Sequence, residues 1–336
     1  MTKLQPLPTR TDRMIPVLMV AITVVLWASA FVVVRAAGED FRPGALALGR
    51  LLVGAIALTV FVAFRALRTG AAPRLPRGRT LVILLVWGVA WFGGYNLALN
   101  AAELRLDAGT TALLVNVSPL LVGLFAGLLL GEGFPARLMI GMSVALVGVV
   151  AIASATWTGQ GDTVGVLLAL LAALLYAASV IVQKRLLIHV DALTVTWLGC
   201  LAGAVVCLPF APELIAATVR APAASVLGVV YLGIFPTAIA FVTWGYALSK
   251  MSAGRLAAST YTVPPLVVLM SWLLLAEAPA VLSLVGGAVC LAGVAVATLA
   301  RPGSGTRAGS GTDAGSGSDA GSGSEAEVPG RAGAKV

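Results

Sequence analysis

Charge is scarce in this sequence. Asp, Glu, Lys and Arg make up 11% of its 336 residues, against roughly a quarter in a soluble domain. The last 36 residues hold eight of the 36 charged side chains, so the first 300 carry only 28. Histidine is nearly absent. His189 is the single one, placed as a solvated loop residue. Cys200, Cys207 and Cys290 all fall inside apolar runs, where thiols behave as small hydrophobes. No metal or haem ligand set and no disulfide framework can be assembled from these residues, so no cofactor or metal is expected. Ten acidic residues precede position 301, mostly standing singly, and neither HExxH nor GxSxG occurs. A membrane enzyme would lack its nucleophile, paired carboxylates or metal site. The net charge of +8 sits in short gaps rather than in a stripe interleaved with aromatics, which excludes nucleic acid as a partner.

What is abundant is apolar surface, at 59% of residues. A bilayer core of about 30 Å needs ~20 helical residues to cross it. On that measure ten transmembrane helices are expected, near 14–34, 44–64, 80–101, 108–130, 136–156, 163–183, 191–210, 224–247, 253–275 and 279–300. The class is an all-α integral membrane protein with the lipid bilayer as solvent. Barrel strands are excluded because the runs are continuous rather than alternating. Pro43, Pro135 and Pro279 stand at helix starts, where a missing N–H costs little. Ala28-Ser29-Ala30 resembles a signal-peptide cleavage site after Lys3, Arg10 and Arg13. The run continues apolar through Val34, however, and its pattern returns later, so it reads as a retained first helix.

Orientation follows from Lys and Arg. With the N-terminus inside, fifteen basic residues up to Arg307 lie on the cytoplasmic side, five of them in the loop Arg65, Arg68, Arg74, Arg77 and Arg79. Only Arg35, Arg42, Arg105 and Arg220 lie outside. The bias places both ends in the cytoplasm of a multi-pass protein of the cell membrane. From Arg301 onward the hexamers AGSGTD, AGSGSD and AGSGSE follow one another. So little apolar surface cannot offset ordering entropy, and residues 301–336 read as a flexible Gly/Ser-rich tail.

The two halves resemble each other. AGTTALLVNVSPLLVGLFAGLLLGE at 108–132 aligns without gaps on AGRLAASTYTVPPLVVLMSWLLLAE at 253–277. Pro119 then pairs with Pro264, Glu132 with Glu277, and Gly141 and Gly148 with Gly286 and Gly293. Earlier, LWASAFVVV at 26–34 matches LYAASVIVQ at 175–183, setting Trp27 opposite Tyr176. Each half holds five spans, an odd number, so the second would enter the membrane from the opposite side. Inverted repeats are a transporter design with a site at the midplane. The organisation expected is an N-terminus over 1–13, a first repeat over 14–156, a second over 163–300 and the tail.

With these motifs the chain resembles the EamA family of the drug/metabolite transporter superfamily over residues 14–300. The resemblance implies export of amino acids or other small metabolites, without a cofactor, through a cavity between the halves. Ala276 stands where the motif has a second glycine, and Pro264-Pro265 doubles the proline.

Candidate cavity residues are Trp27, Ser29, Arg50, Trp91, Tyr95, Asn96, Asn100, Asn116, Tyr176, Gln183, Trp244 and Tyr261. Asn96 and Asn100 share one helix face. Two readings stand for the amides, a wet cavity wall or glue between helices. Arg50 lies inside a span, where a charge costs at least ~2.5 kcal/mol unless paired or snorkelling. It is either a cation for a substrate carboxylate or a structural group paired with Glu39, Asp40 or Asp107. Pro119, Pro264 and Pro265 are helix-break candidates that either line the cavity or only kink the packing. Glu132 and Glu277 read as a shared structural turn near a helix N-terminus, with proton coupling as the alternative.

The function read from this is a secondary transporter exporting a small-molecule substrate by alternating access, working as a monomer or homodimer. A non-transporting sensor or scaffold, or a membrane enzyme, is the alternative. Energy coupling stays open between edge acids such as Glu103 or Asp107 and uncoupled facilitation.

Overall fold

The computed structural model describes residues 10–103, 105, 114–155, 162–275 and 280–298, all in helices or the turns between them, with no strand among the described residues. The chain divides into a unit over Met1–Ala300 and a second over Arg301–Val336. The second unit, and with it the tail, lies outside the described residues.

The helices are α1 (Arg10–Ala37), α2 (Pro43–Thr69), α3 (Gly78–Gly88), α4 (Asn96–Glu103), α5 (Ser118–Leu129), α6 (Ala136–Ser154) and α7 (Thr163–Leu186). They continue as α8 (Ala192–Cys207), α9 (Ala211–Arg220), α10 (Ala223–Leu232), α11 (Ala240–Lys250), α12 (Ala253–Ser259), α13 (Val263–Leu275) and α14 (Val281–Thr298). A π-helical segment, Val89–Tyr95, joins α3 to α4, and a second, Gly233–Ile239, joins α10 to α11. Nine helices among the described residues are long and apolar enough to cross a membrane. The shorter apolar α5 follows a stretch, 106–113, outside the described residues.

Local chemistry sets the helix ends. Pro43 opens α2, where its fixed φ suits the first turn. Gly70 closes it at φ +64°, a left-handed conformation that favours glycine. Gly131 and Gly133, at φ +68° and +70°, make the tight turn from α5 to α6. Asp162 and Asp191 cap α7 and α8 by accepting the backbone N–H groups of Val164 and Thr194.

Glycine also decides how helices meet. α6 and α14 pack antiparallel along a seam of small residues. A Cβ on Gly141 would lie 2.6 Å from the Gly293 carbonyl oxygen, and one on Gly148 would lie 2.5 Å from the Gly286 carbonyl oxygen. Gly93 and Gly94 meet only ordinary contacts at 3.5 Å. The close approach in that region is one turn earlier, where a Cβ on Gly88 would lie 2.5 Å from Gly199. Its analogue in the other half is Gly233 against Val53 at 2.5 Å.

Polar contacts between helix ends and loops form two sets. At one end Arg65 faces Asp191 at 3.7 Å, Arg185 donates to the Leu129 carbonyl and Lys184 to those of Leu248 and Met251. At the other end Arg42 faces Glu213 at 3.5 Å, Arg105 pairs with Asp162 at 2.8 Å, and Ser225 donates to Asp40. Each set joins only helix ends and loops that alternating crossings would leave on one side.

Candidate functional site

Long helices bring aromatic side chains from four spans to one place. α1 supplies Trp27, the first π segment Trp91, Phe92 and Tyr95, α7 Tyr176, and α11 Phe241 and Trp244. Trp27 lies 5.0 Å from Trp244 between ring centroids, Trp91 5.6 Å from Tyr176, and Tyr176 6.5 Å from Trp244. Such spacings and tilted geometries are those aromatic pairs prefer. A π turn carries one extra residue per turn, so it re-aims the side chains that follow it. Here it presents Trp91 and Tyr95 to the same ring, Tyr176.

Below this cluster, Gln183 Oε1 accepts from Trp244 Nε1 at 3.1 Å, while Gln183 Nε2 is buried without a hydrogen-bond partner. A buried amide donor left unpaired costs roughly 1–3 kcal/mol. Tyr176 Oη, close to Thr260, makes no hydrogen bond of ordinary geometry. Trp91, Trp244 and Gln183 are fully enclosed, whereas Trp27, Tyr95, Arg50, Asn96 and Asn100 are half-buried. Enclosure is therefore tightest on the side of Gln183, and the polar side chains lie toward the Arg42 end.

Arg50 donates from Nε to Thr237 Oγ1 at 3.1 Å. That hydroxyl belongs to the second π segment and itself donates to the Leu232 carbonyl at 2.8 Å. No acid lies within ion-pair distance of Arg50 among the described residues. Asp40 is held by Ser225 instead, and Asp107 lies outside the described residues. The guanidinium thus rests on a neutral acceptor inside a span.

The remaining candidates go elsewhere. Ser29 Oγ meets Tyr231 Oη at 2.8 Å, linking α1 to α10. Asn96 Nδ2 donates to the Phe92 carbonyl and Asn100 Nδ2 to the Pro43 carbonyl, so each amide is held by backbone. Tyr261 is buried among Met142, Ala145, Ala258 and Cys290, and its hydroxyl donates to the Asn116 carbonyl at 2.9 Å. Pro119 and Pro264 lie in the first turns of α5 and α13, each just after a break in the helix at 116–117 and Thr260–Thr262. In that first turn their missing N–H is not needed. Pro265 packs toward Gly287 of α14.

Glu132 serves a helix other than the one that follows it. Its carboxylate accepts from Ala253 N at 2.7 Å and Gly254 N at 3.2 Å, capping α12 from 121 residues away in sequence. Glu277 lies outside the described residues. Sequence reasoning missed Phe92, Phe241, Thr237 and the Thr23–Thr243 contact at 2.8 Å. The only signal for Thr237 was a threonine beside a mid-span proline, Pro236.

Comparison with known proteins matches the chain to the model of the EamA-like transporter family over residues 14–154 and 163–299. A protein of Streptantibioticus cattleyicolor described as a probable terminal-alkyne amino-acid exporter is 35% identical over 81% of this chain and 90% of its own length. An uncharacterized transporter of Bacillus subtilis, YdfC, is 32% identical over 80% of this chain and 86% of its own length. A probable amino-acid metabolite efflux pump of Escherichia coli is 24% identical over 81% of this chain and 91% of its own length. One crystal structure superposes with a TM-score of 0.68 at 22% identity, covering 87% of this chain and 98% of that one, which speaks to the fold alone.

Proposed function

The chain belongs to the EamA-like transporter family, and we propose that it exports a small amino-acid-like metabolite by alternating access. It is a multi-pass membrane protein. In this reading ten helices form two inverted repeats, over 14–156 and 163–300, in the cell membrane with both ends in the cytoplasm. The antiparallel seam between α6 and α14, which the alignment makes counterparts, supports the inversion. The relatives named as amino-acid exporters support the substrate class.

Arg50 carries the reading. A guanidinium in a membrane helix costs several kcal/mol unless something compensates it, and here it rests on a hydroxyl with no acid at hand among the described residues. A substrate carboxylate would supply the missing charge through bidentate hydrogen bonds. Trp27 and Tyr95, the half-buried rings at the edge of the aromatic cluster, would receive the rest of the molecule, its ammonium or apolar part lying against ring faces. The contacts of Glu132, Lys184 and Arg185 would keep the cytoplasmic side shut while the Arg50 side admits water.

The test is uptake into inverted vesicles of labelled amino acids by wild type, Arg50→Gln and Arg50→Lys. Loss of uptake by at least about tenfold in Arg50→Gln, with partial retention in Arg50→Lys, is expected for a carboxylate ligand. Equal apparent affinity for an amino acid and its amide would overturn the role.

A further inference from the structure

An apolar groove of about 660 Å³ lies open on the outer face of the helices between α2 and α10. Ile56, Val60, Phe61 and Phe64 of α2 form one wall, and Val230 of α10 with Ile234 of the second π segment forms the other. The α2 wall begins at Val53 and ends at Phe64, a helical length of about 16 Å. Half of a hydrocarbon core of roughly 30 Å is about the same, so the groove has the depth of one leaflet's acyl chains.

It ends where charge begins. The Arg68 guanidinium lies 4.9 Å over the Phe64 ring, and Arg65, Arg74, Arg77 and Arg79 follow, all exposed. Residues 65–79 contain no acid. The ion pair these arginines make among the described residues is Arg65 with Asp191, at 3.7 Å. Leu67 and Leu75, 85% and 53% exposed, stand among them, a mixture of apolar and cationic side chains that suits a membrane interface.

We propose that the groove and the arginine segment together bind one anionic phospholipid, an acyl chain lying along α2 and the phosphate held by Arg68 and its neighbours. Phosphatidylglycerol and phosphatidylcholine of the same chains would fill the groove alike, so the acyl chain's fit adds to the binding of either and the headgroup supplies the preference. Arginine forks match phosphate oxygens, and clustered cations just beyond a membrane helix attract anionic headgroups. The groove's part is to hold that lipid at one place and in one orientation. It lies against Val53, which packs on Gly233 at the start of the second π segment. A lipid seated there borders the segment that holds Thr237 and, through it, Arg50.

The experiment titrates the full chain, purified and delipidated in detergent, with phosphatidylglycerol or with phosphatidylcholine of the same chains. Native mass spectrometry counts bound lipids, and thermal unfolding checks folding of each variant. One phosphatidylglycerol per chain, bound about tenfold more tightly than phosphatidylcholine, is expected. The triple change Arg68→Gln, Arg74→Gln and Arg77→Gln should erase that preference. Val60→Trp fills the groove and spares every arginine. It should weaken phosphatidylglycerol binding by a similar factor while leaving the response to glycerol 1-phosphate alone unchanged. Equal binding of the two lipids overturns the proposal. So does wild-type binding by a folded Val60→Trp variant, which would reduce the segment to a plain basic surface. Disulfide crosslinking between chains through Val60→Cys would also overturn it, by assigning the groove to a second copy.

Discussion

Cys290 Sγ lies 3.2 Å from the carbonyl oxygen of Ala145, and the two residues are each other's counterparts at the 145-residue spacing of the sequence repeat. Contacts on either side of this point are reciprocal. Gly141 lies against Gly293 and Ala297, and Gly286 lies against Gly148 and Ile152, the same pair of contacts with the roles exchanged. Tyr261 and Asn116, also 145 apart, meet in the same way. A patch that pairs with its own copy is what the inverted arrangement proposed above requires.

A reciprocal seam makes a specific prediction. A Cβ at Gly148 would stand 2.5 Å from Cys290 N, and one at Gly286 would stand 2.7 Å from the Gly148 carbonyl oxygen. Both neighbours are backbone and cannot rotate away. Gly148→Ala and Gly286→Ala should each destabilise the protein by about 1–3 kcal/mol and by similar amounts. The double variant should cost less than the sum, because helices already pushed apart accommodate the second methyl. Gly93→Ala, with its nearest neighbour at 3.5 Å, should be close to wild type. Thermal unfolding in detergent measures all four, and additive losses would argue against a shared seam.

Glu132 makes a second kind of cross-chain contact. Two backbone donors of α12 depend on its carboxylate, and Glu132→Ala should cost roughly 1–2 kcal/mol. If this contact helps close the Arg65 end, a Ser252→Cys reporter should react about tenfold faster with a hydrophilic maleimide in the Glu132→Ala background. Glu132→Gln keeps an acceptor oxygen and should fall between. Unchanged labelling in both would remove Glu132 from any closing role.

The repetition of Glu132 and Glu277 was legible in the sequence; the partner of Glu132 was not. A carboxylate after a leucine run announces a helix end nearby, but spacing along one chain cannot point to a helix 121 residues away. The aromatic residues show the same division. Trp27, Trp91, Tyr176 and Trp244 stood out as large rings within apolar runs, and they do meet. Phe92 and Phe241, whose ring centroids lie 4.6 Å apart at a tilt of 43°, looked like any other apolar residue. The π segments were hidden because an extra residue in a helical turn leaves no compositional trace, although Pro236 sits inside one of them. Asn96 and Asn100 turn to backbone carbonyls, a choice that depends on helix register and on Pro43 rather than on the amides themselves.

Thr237 connects one of those π segments to Arg50. Thr237→Val is nearly isosteric and removes the acceptor of Arg50 Nε without touching the charge. If Arg50 holds substrate, a guanidinium with one fewer anchor should bind it less well. The apparent KM should rise by roughly threefold to tenfold, about 0.7–1.4 kcal/mol, typical of one hydrogen bond, with little change in maximal rate. Thr237→Ser restores the hydroxyl and should restore KM. A fall in maximal rate with KM unchanged would instead place Thr237 in the conformational step.

The last prediction concerns pH at the Arg42 end. Asp162 accepts from Arg105 at 2.8 Å and from the Val164 N–H at 2.8 Å. First the Arg105 bond and then the backbone N–H hold its carboxyl below the usual range. A depressed folded value means the native state favours the ionised form. The stabilisation is therefore complete above the unfolded value of about 3.9 and fades as pH falls from there through the lower folded value. Asparagine is itself a good helix cap, so Asp162→Asn isolates the charge. Thermal unfolding should show a small gap between wild type and Asp162→Asn that is constant from pH 7 to 5 and closes below about pH 4. Because the pair is exposed to solvent, the gap should also shrink in about 1 M salt, where screening acts within ~3 Å. Asp162→Ala removes the cap as well, and its deficit should survive at low pH, where a protonated Asp162 still accepts from Val164. A gap for Asp162→Asn that persists unchanged at pH 3 would show that the Arg105 contact contributes nothing through its charge.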